Sequence, residues 1–575
     1  MSLLSELLTR NAECDPNRRG FIFLQDGETD EHAITYKELH LKAARIAALL
    51  QQRVAPGERA ILLYPAGIEF IAAFYACLYA GVIAVPAYPP VRGRVAATLP
   101  RLRAIADNCG ARIIMTSETL DVPVEVIVAE APELGALTWL TTDVPGPDVA
   151  DFRPTKIDSK AVAFLQYTSG STGTPKGVVL QHDQVLANVD MLIQSMGLRA
   201  RSADVFWLPL YHDMGLVSSV LCGTKLCNEN VLMPPLHFVQ RPFRWLRAIS
   251  RFRATWGGAP NFAYELCLQK ITAEERDTLD LSCWECAFNG AEPIRAETVR
   301  RFAEVFASTG LRPEALFPCY GLAEATLIVS GSGAKRAPRI CRFDAAELEQ
   351  QRAVLAVDDV RSVELVSTGW PAQGTDVRIV DPETRRERES GEVGEIWVAS
   401  PSVACGYFGV QSPSFGASIA GTDERSFLRT GDLGFMMDGE LFVAARMKDV
   451  LIVRGRKLHP QDLELTCEKS HPSIRNSGTA AVQIRVGNED GVALILTEPK
   501  ASSSDVFDAQ EVMAAVRLAI AEQHEIEPLA IAIISARALP KTSSGKLRRQ
   551  AVRETYLRNE FDVVAQWLAV EGICE

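Results

Sequence analysis

The stretch QYTSGSTGTPKGVV, residues 166 to 179, places glycines, hydroxyl side chains and one lysine between two apolar runs. Glycines let backbone N–H groups converge on a ligand, hydroxyls add donors, and Lys176 adds positive charge, a combination that suits phosphate. The spacing excludes the P-loop of kinases, G-x-x-x-x-G-K-[ST], because Thr-Pro separates Gly173 from Lys176. Pro175 and the β-branched pair 178–179 favour a strand after the loop. We therefore predict a strand–loop–strand unit that holds phosphates through loop donors.

Five further polar or glycine-rich clusters stand at the ends of apolar runs. They are YHDMG (211–215), FNGAEP (288–293), YGLAEAT (320–326), RTGDLGF (429–435) and PKTSSGK (540–546). Each is compatible with an ordinary structural role: YHDMG with a loop whose polar groups are satisfied, RTGDLG with a turn capped by Asp432, and PKTSSGK with a solvated loop. No single cluster identifies a function, so the functional prediction depends on the order and spacing of all six clusters.

The elements that must position these clusters follow from hydrophobic periodicity. Helix-like and strand-like stretches alternate between residues 35 and 125 and again over 155–330, which predicts βαβ units and a mostly parallel sheet. Ligands of such sheets collect beyond the carboxyl ends of the strands. From about residue 364 the pattern changes to short strands with Gly, Pro and Asp turns, which predicts a smaller β-rich subdomain.

Bulk composition restricts the class of protein. The chain has 575 residues, 47% of them hydrophobic and 23% charged, which is typical of a soluble globular protein of several domains. Its net charge of −12 gives no support for nucleic-acid binding. Thirteen cysteines without a framework favour a reduced, cytoplasmic setting, and the lone pair Cys283 and Cys286 is better read as ordinary thiols than as a zinc or redox site.

No targeting or membrane segment is expected. The first ten residues form an amphipathic pattern without a basic region, unlike a signal peptide. The longest apolar run, 71–88, is interrupted by Gly81 and Pro86, which favours a buried helix followed by a buried strand over a membrane span.

In their order and spacing the six clusters resemble the motifs of the adenylate-forming superfamily, which includes acyl-CoA synthetases, peptide-synthetase adenylation domains and luciferases. The resemblance covers essentially the whole chain. The stretches WLPLYHDMGLV (207–217), GAPNFAYE (258–265), YGLAEATLIVSG (320–331) and RGRKLHPQDLE (454–464) are more similar to the fatty acyl-AMP ligases. Residues of about 332–364 stand where these ligases carry an insertion, although a long surface loop with one helix would explain the stretch equally plainly.

The resemblance implies an α/β fold with two domains. The N-terminal domain, residues 1–446, would contain two βα-sheet subdomains and a small β-rich subdomain. A small, mobile α+β C-terminal domain, residues 447–575, would carry the catalytic lysine and rotate about Lys448. In the family the 332–364 insertion is thought to restrain this rotation and to disfavour thioester formation with CoA. The alternative to a hinge role is that Lys448 is an ordinary solvated surface lysine.

The resemblance also implies the reaction and its cofactors, ATP and Mg²⁺. A fatty carboxylate would attack the α-phosphate of ATP, release pyrophosphate and leave an acyl-adenylate, from which a phosphopantetheine thiol takes the acyl group. Catalysis would then rest on positioning and charge neutralisation. Lys546 would contact the carboxylate oxygen and the α-phosphate, and Glu324 would help to hold Mg²⁺.

Nucleotide-binding and acyl-binding residues are carried over by motif position. His212 would close the acyl pocket near the reacting carboxylate. Asp432 would accept hydrogen bonds from the ribose hydroxyls, with Arg446 near the ribose or phosphate. The remaining nucleotide-binding residues would be Thr168, Ser169, Gly170, Ser171, Thr172, Gly173, Lys176, Gly290, Ala291, Glu292, Tyr320 and Gly321. The remaining acyl-binding residues would be Gly258, Pro260, Asn261, Phe262 and Tyr264.

The implied partners are a fatty acid and a phosphopantetheine-bearing acyl carrier protein, of a polyketide or peptide synthetase or of complex-lipid synthesis. We expect no carrier domain after Lys546, and therefore a carrier that is a separate protein. Two alternatives stay open. The chain could be a long-chain acyl-CoA ligase, which CoA-dependent thioester formation would reveal. It could also be a catalytically silent nucleotide-binding relative, against which the joint presence of Lys546, Glu324, Asp432 and Arg446 argues.

Overall fold

A computed structural model gives the architecture of the chain. It describes residues 3–93, 95–144, 147–168, 175–357, 361–422, 425–453, 456–475, 478–486, 489–497, 508–536, 538–541 and 547–569. The α-helices are α1 (Leu4–Cys14), α2 (Tyr36–Gln51), α3 (Ile68–Ala80), α4 (Val95–Cys109), α5 (Val124–Glu130), α6 (His182–Met196), α7 (Gly223–Leu226), α8 (Pro235–Gln240), α9 (Phe243–Phe252), α10 (Asn261–Lys270), α11 (Ala273–Arg276), α12 (Ala296–Val305), α13 (Ala345–Glu349), α14 (Pro460–Ser470), α15 (Ala509–His524) and α16 (Arg549–Leu557).

The strands fall into sheets that follow the domain order. They are β1 (Arg19–Leu24), β2 (Glu31–Thr35), β3 (Arg59–Leu62), β4 (Ile83–Pro86), β5 (Ile113–Thr116), β6 (Thr138–Thr141), β7 (Val162–Thr168), β8 (Lys176–Gln181), β9 (Ala203–Phe206), β10 (Glu229–Leu232), β11 (Trp256–Ala259), β12 (Cys286–Asn289), β13 (Leu316–Gly321), β14 (Ile328–Gly331), β15 (Ile340–Asp344), β16 (Ser362–Val366), β17 (Trp370–Pro371), β18 (Asp376–Val380), β19 (Gly394–Ala399), β20 (Leu428–Met437), β21 (Glu440–Arg446), β22 (Leu451–Val453), β23 (Arg456–Leu458), β24 (Thr479–Val486), β25 (Glu489–Thr497), β26 (Ala530–Ile534) and β27 (Val563–Leu568).

Two large sheets form the N-terminal part, and the expectation that they are mostly parallel is confirmed. One has the order β6-β5-β3-β4-β7-β8 and is parallel except where β8 runs back along β7. The other has the order β17-β14-β13-β12-β11-β9-β10-β1-β2, with antiparallel pairs only at its two ends. The strands predicted on either side of the phosphate loop are confirmed as β7 and β8.

Local sequence explains how helices cover these sheets. Thr35 caps α2, where its hydroxyl and Glu38 satisfy each other's backbone N–H groups in a capping box. Helix α3 is buried along its whole length and ends at Gly81, whose φ of 68° suits a left-handed C-cap. The long apolar run of the sequence is thus an interior helix and strand. In the part of the chain that the structure describes, no helix is both long and apolar enough to cross a membrane.

The remaining strands form the smaller units. Strands β18 to β21 make an antiparallel sheet, as predicted for the β-rich subdomain. The region of the expected insertion contains the β15–β16 hairpin and α13, which is shorter than the helix expected there. In the C-terminal domain, β24 to β27 form a sheet against which α14, α15 and α16 pack. A cleft of about 2500 Å³ separates the two domains.

Candidate active site

The β7–β8 pair presents the ends of the predicted phosphate loop to the cleft. Thr168 and Lys176 are opposite each other in the antiparallel ladder, and both line the cleft. The Lys176 ammonium lies 4.9 Å from the centre of the Tyr407 ring, a cation–π contact. The predicted loop residues Ser169, Gly170, Ser171, Thr172 and Gly173 lie outside the described residues.

A second wall comes from the ends of β12 and β13. Gly290 leaves no room for a side chain, because a Cβ there would stand 2.8 Å from the Cys319 sulfur. Ala291 has a φ of 68°, so the backbone turns sharply at this point. The next residue, Glu292, accepts a hydrogen bond of 2.6 Å from the Phe262 backbone N–H. Ala291 and Glu292 line the cleft, whereas Gly290 supports the turn behind them.

Tyr320, Asp432 and Arg446 form one hydrogen-bonded unit on the cleft wall. Tyr320 Oη donates to Asp432 Oδ2 over 2.7 Å, and Arg446 Nε donates to Asp432 Oδ1 over 3.1 Å. Asp432 and Arg446 are partners in the β20–β21 ladder, so the sheet register itself brings them together. Burial and the neighbouring Asp432 carboxylate raise the pKa of Tyr320 far above its usual range. The tyrosine therefore remains a donor, and the pKa of Arg446 is raised by Asp432, which keeps the guanidinium charged.

Glu324 lies just beyond β13 and faces the same cleft. Its Oε1 atom accepts a hydrogen bond of 2.7 Å from Tyr407 Oη. The preceding Gly321 is required by sterics, because a Cβ there would collide with the Leu327 carbonyl. Within the described residues we find no group of three or more His, Cys, Asp or Glu side chains that could hold a metal ion by itself. A cation at Glu324 would therefore need further ligands from substrate or water.

The predicted acyl-binding residues divide into two groups. Pro260, Asn261 and Phe262, at the start of α10, line the cleft together with His212. Tyr264 instead lies in the core, where its hydroxyl donates to the Phe288 carbonyl over 2.7 Å. Gly258 lies in β11 against the Phe288 ring and does not reach the cleft. Tyr264 and Gly258 therefore lie behind the residues that line the cleft.

The C-terminal domain closes the cleft through charged contacts. Arg295 Nη1 lies 2.7 Å from Glu468 Oε2 in α14, and Lys469 Nζ lies 3.0 Å from Glu297 Oε2. Burial lowers the pKa of Arg295, but the attraction of Glu468 outweighs it and the net pKa is raised. These contacts join the two domains directly across the cleft.

The predicted residue Lys448 and one residue of the PKTSSGK motif lie on this side of the cleft. Lys448 lines it within a single 3₁₀ turn, Met447–Asp449, that separates β21 from β22. Lys541, at the start of the PKTSSGK motif, also lines the cleft, and burial lowers its pKa against the opposing effect of Glu292. Lys546, predicted as the catalytic lysine, lies outside the described residues.

Sequence reasoning missed the residues that act across long separations. Tyr407 contacts Glu324 over 83 positions and Arg295 contacts Glu468 over 173 positions. For the contact between Tyr407 and Glu324, the sequence did contain a signal, the aromatic residues between two glycines in CGYFG (405–409). No local signal distinguishes Arg295 or Glu468 from ordinary surface charges.

Two βα sheets, a β-rich subdomain and a small C-terminal domain around a shared cleft define the architecture of the adenylate-forming enzymes. The AMP-binding enzyme family model matches residues 8–408, and the model described as Disco-interacting protein 2-like, AMP domain, matches residues 448–566. The chain belongs to the AMP-binding enzyme family.

Individual relatives are similar over almost the whole length. The chain is 42% identical to the medium-chain-fatty-acid–[acyl-carrier-protein] ligase JamA of Moorena producens, covering 99% of this chain and 97% of the relative. It is 35% identical to the long-chain-fatty-acid–AMP ligase FadD26 of Mycobacterium marinum, covering 97% and 98%. Among solved structures, the fatty acyl-adenylate ligase from L. pneumophila in complex with acyl adenylate and pyrophosphate matches with a TM-score of 0.74, 35% identity and 98% coverage of both chains.

Proposed function

We propose that the chain uses ATP to convert a medium- or long-chain fatty acid to an acyl-adenylate and pyrophosphate. It then transfers the acyl group to the phosphopantetheine thiol of an acyl carrier protein, such as one belonging to a polyketide or peptide synthetase. The observation that carries the proposal is the joint placement of Asp432, Tyr320 and Glu324 on one cleft. Relatives similar over their full length, named as fatty-acid ligases, support the substrate class.

The cleft offers polar side chains to ATP and apolar side chains to the fatty acid. Polar groups of Asp432, Arg446 and Glu324 suit ribose and phosphates. Apolar side chains suit a fatty chain, whose burial contributes about 0.8 kcal/mol per methylene. The apolar lining residues include Leu192, Met196, Trp207, Leu208, Phe262 and Leu266.

In the first half-reaction one carboxylate oxygen of the acid forms a bond to the α-phosphorus, and the bond from that phosphorus to the β-phosphate bridging oxygen breaks. The residues of this chain orient the two reactants and offset negative charge. Asp432 would accept from the ribose hydroxyls, and Lys176 and Lys546 would stabilise phosphate charge. His212 would close the acyl pocket beside the reacting carboxylate.

Glu324 fits a magnesium ion bound mainly through substrate. Its carboxylate is a hard oxygen donor, and Oε2 receives no hydrogen bond from the described residues. Mg²⁺ there would neutralise phosphate charge as pyrophosphate leaves. One protein carboxylate, substrate phosphates and water form the ligand set that this cation prefers.

We further propose that the domains meet at residues 446 and 447 and that Lys448 belongs to the hinge between them. The short 3₁₀ turn at Met447–Asp449 is the kind of connection that absorbs a change of backbone angles. The 332–364 insertion contacts the C-terminal domain on the far side of this turn, where Glu349 pairs with Arg456 and Arg361 with Glu525. These ion pairs support a restraint on rotation and thus a carrier protein rather than CoA as acceptor.

Mass spectrometry of the products tests the proposal. The protein is incubated with ATP, Mg²⁺ and saturated acids of graded chain length, alone, with CoA, or with a phosphopantetheinylated carrier protein. We expect acyl-adenylate that persists in the presence of CoA and acyl-carrier thioester when the carrier is added. Acyl-CoA at a rate comparable to carrier loading would identify a CoA ligase instead. Absence of adenylate with every acid would refute the substrate class.

A further inference from the structure

One short segment connects two charged groups of the proposed phosphate site. Residues 404–408 run between Glu324 and β8: the Ala404 N–H donates to the Glu324 carbonyl over 2.9 Å, and the Phe408 N–H donates to the Gly177 carbonyl over 2.7 Å. Both ends of the segment are therefore fixed by backbone hydrogen bonds. Tyr407, next to Phe408 in this segment, lies between the two anchor points.

Tyr407 contacts one charged group with its hydroxyl and the other with its ring. Oη donates to Glu324 Oε1 over 2.7 Å, while the Lys176 ammonium lies 4.9 Å from the ring centre. Phe415 packs edge-on against the same ring at 5.3 Å. Burial first, and the Glu324 carboxylate second, raise the pKa of Tyr407 above its usual range, so the hydroxyl keeps its proton and acts as donor.

The geometry keeps opposite charges apart. Lys176 and Glu324 carry opposite charges and line the same cleft, yet they form no ion pair with each other in the described part of the chain. A direct pair would occupy the carboxylate and the ammonium with each other. The tyrosine ring gives the lysine another partner, and the tyrosine hydroxyl fixes one carboxylate oxygen, while the other receives no hydrogen bond from the residues that the structure describes.

We propose that Tyr407 is a positioning residue that holds Glu324 and Lys176 apart, so that the carboxylate binds the metal and the ammonium binds phosphate. This inference rests on the proposed function. It differs from a packing role, because packing would not depend on the hydroxyl and would not affect metal and phosphate separately.

Titration calorimetry with ATP, with and without Mg²⁺ and without acid, tests the inference on the full chain. For Tyr407→Phe, which keeps the ring over Lys176, we expect roughly tenfold weaker binding of ATP in Mg²⁺, the lower range for a hydrogen bond to a charged group. Binding of ATP without metal should be unchanged. For Tyr407→Leu, which removes both contacts, ATP binding should weaken with and without metal.

Two control variants separate positioning from packing. Tyr64→Phe removes a buried hydroxyl that lies 2.8 Å from Thr142 Oγ1 and does not line the cleft. Phe415→Leu loosens the packing of Tyr407 without touching its hydroxyl. Neither should alter the effect of Mg²⁺ on ATP binding, and thermal unfolding verifies that every variant folds.

The outcomes distinguish this inference from the proposed function. If Tyr407→Phe weakens ATP binding equally with and without Mg²⁺, or not at all, the positioning role is refuted while ATP binding by the wild type stands. If the wild-type protein binds no ATP, the proposed function fails and the inference fails with it.

Discussion

The contact between Arg456 and Glu349 should decide which thiol the enzyme accepts. Arg456, in β23 of the C-terminal domain, donates from Nε to Glu349 Oε2 over 2.9 Å and from Nη2 to Glu349 Oε1 over 2.8 Å. Its third nitrogen, Nη1, donates to the His524 carbonyl over 2.9 Å, which fixes the guanidinium plane. The pair is thus bidentate and joins the 332–364 stretch, the proposed insertion, to the C-terminal domain.

The free energy that this ion pair contributes follows from its burial and its geometry. The Arg456 and Glu349 side chains are 27% and 20% exposed, between a surface pair and a buried one. Surface pairs contribute about 0–1 kcal/mol, and bidentate charge-assisted pairs contribute more. We therefore assign about 1.4 kcal/mol to the contact, which corresponds to a tenfold change in the proposed equilibrium between restrained and rotated domains. If rotation limits thioester formation with CoA, Glu349→Gln should raise the rate of acyl-CoA formation roughly tenfold.

The assay follows acyl-CoA and acyl-adenylate together by mass spectrometry, at fixed acid and ATP. Adenylate formation should be unchanged in Glu349→Gln. Arg378→Ala is the matched control, because Arg378 makes a comparable pair with Asp376, 2.8 Å from Nε to Oδ1, within the β-rich subdomain. It should leave acyl-CoA formation at the wild-type rate. Unchanged acyl-CoA formation in Glu349→Gln, or an equal rise in both variants, would refute the restraint.

Three further results are expected. Asp432→Asn should weaken ATP binding about 10- to 100-fold, since a charge-assisted acceptor is lost, with the secondary-structure circular dichroism unchanged as the check. Lys546→Ala should abolish adenylate formation, measured as pyrophosphate release, while near-normal release would remove this lysine from catalysis. Burial lowers the pKa of His182 to about 4, so its imidazole stays neutral where Nδ1 accepts the Leu4 N–H. Because the unfolded state binds the extra proton, the free energy of unfolding should fall by roughly 3 kcal/mol as pH decreases from about 6.5 to 4. In denaturant unfolding experiments, the free energy of unfolding of His182→Gln should depend less on pH than that of the wild type.

Periodicity and motif order anticipated the framework of the fold. The predicted strands on either side of the phosphate loop are β7 and β8, and the buried run at 71–88 is α3 followed by β4. These predictions succeeded because each depends on neighbours within a few residues. The short helix α13 was overestimated, because its apolar spacing continues into 350–355 while the chain turns at Gln351, where φ is 65°.

The assembly of the site was harder to anticipate, because the cleft joins residues that only sheet register and domain docking bring together. Asp432 meets Arg446 through the β20–β21 ladder, a local pairing that two strands and a turn make predictable. Tyr407 meets Glu324 only because segment 404–408 crosses from β13 to β8, and no periodic pattern encodes that path.

The two kinds of contact have different consequences for the enzyme. Pairs brought together by a strand ladder, such as Asp432 with Arg446, keep their backbone spacing as long as the sheet is intact, which suits a group that must hold one part of a ligand throughout. Pairs between domains, such as Arg295 with Glu468 and Lys469 with Glu297, would separate in the proposed domain rotation, at the cost of one ion pair each. An enzyme that must form an adenylate and then expose it to a thiol requires both kinds. The cleft therefore contains both pairs within a strand ladder and pairs between domains, as a two-step reaction requires.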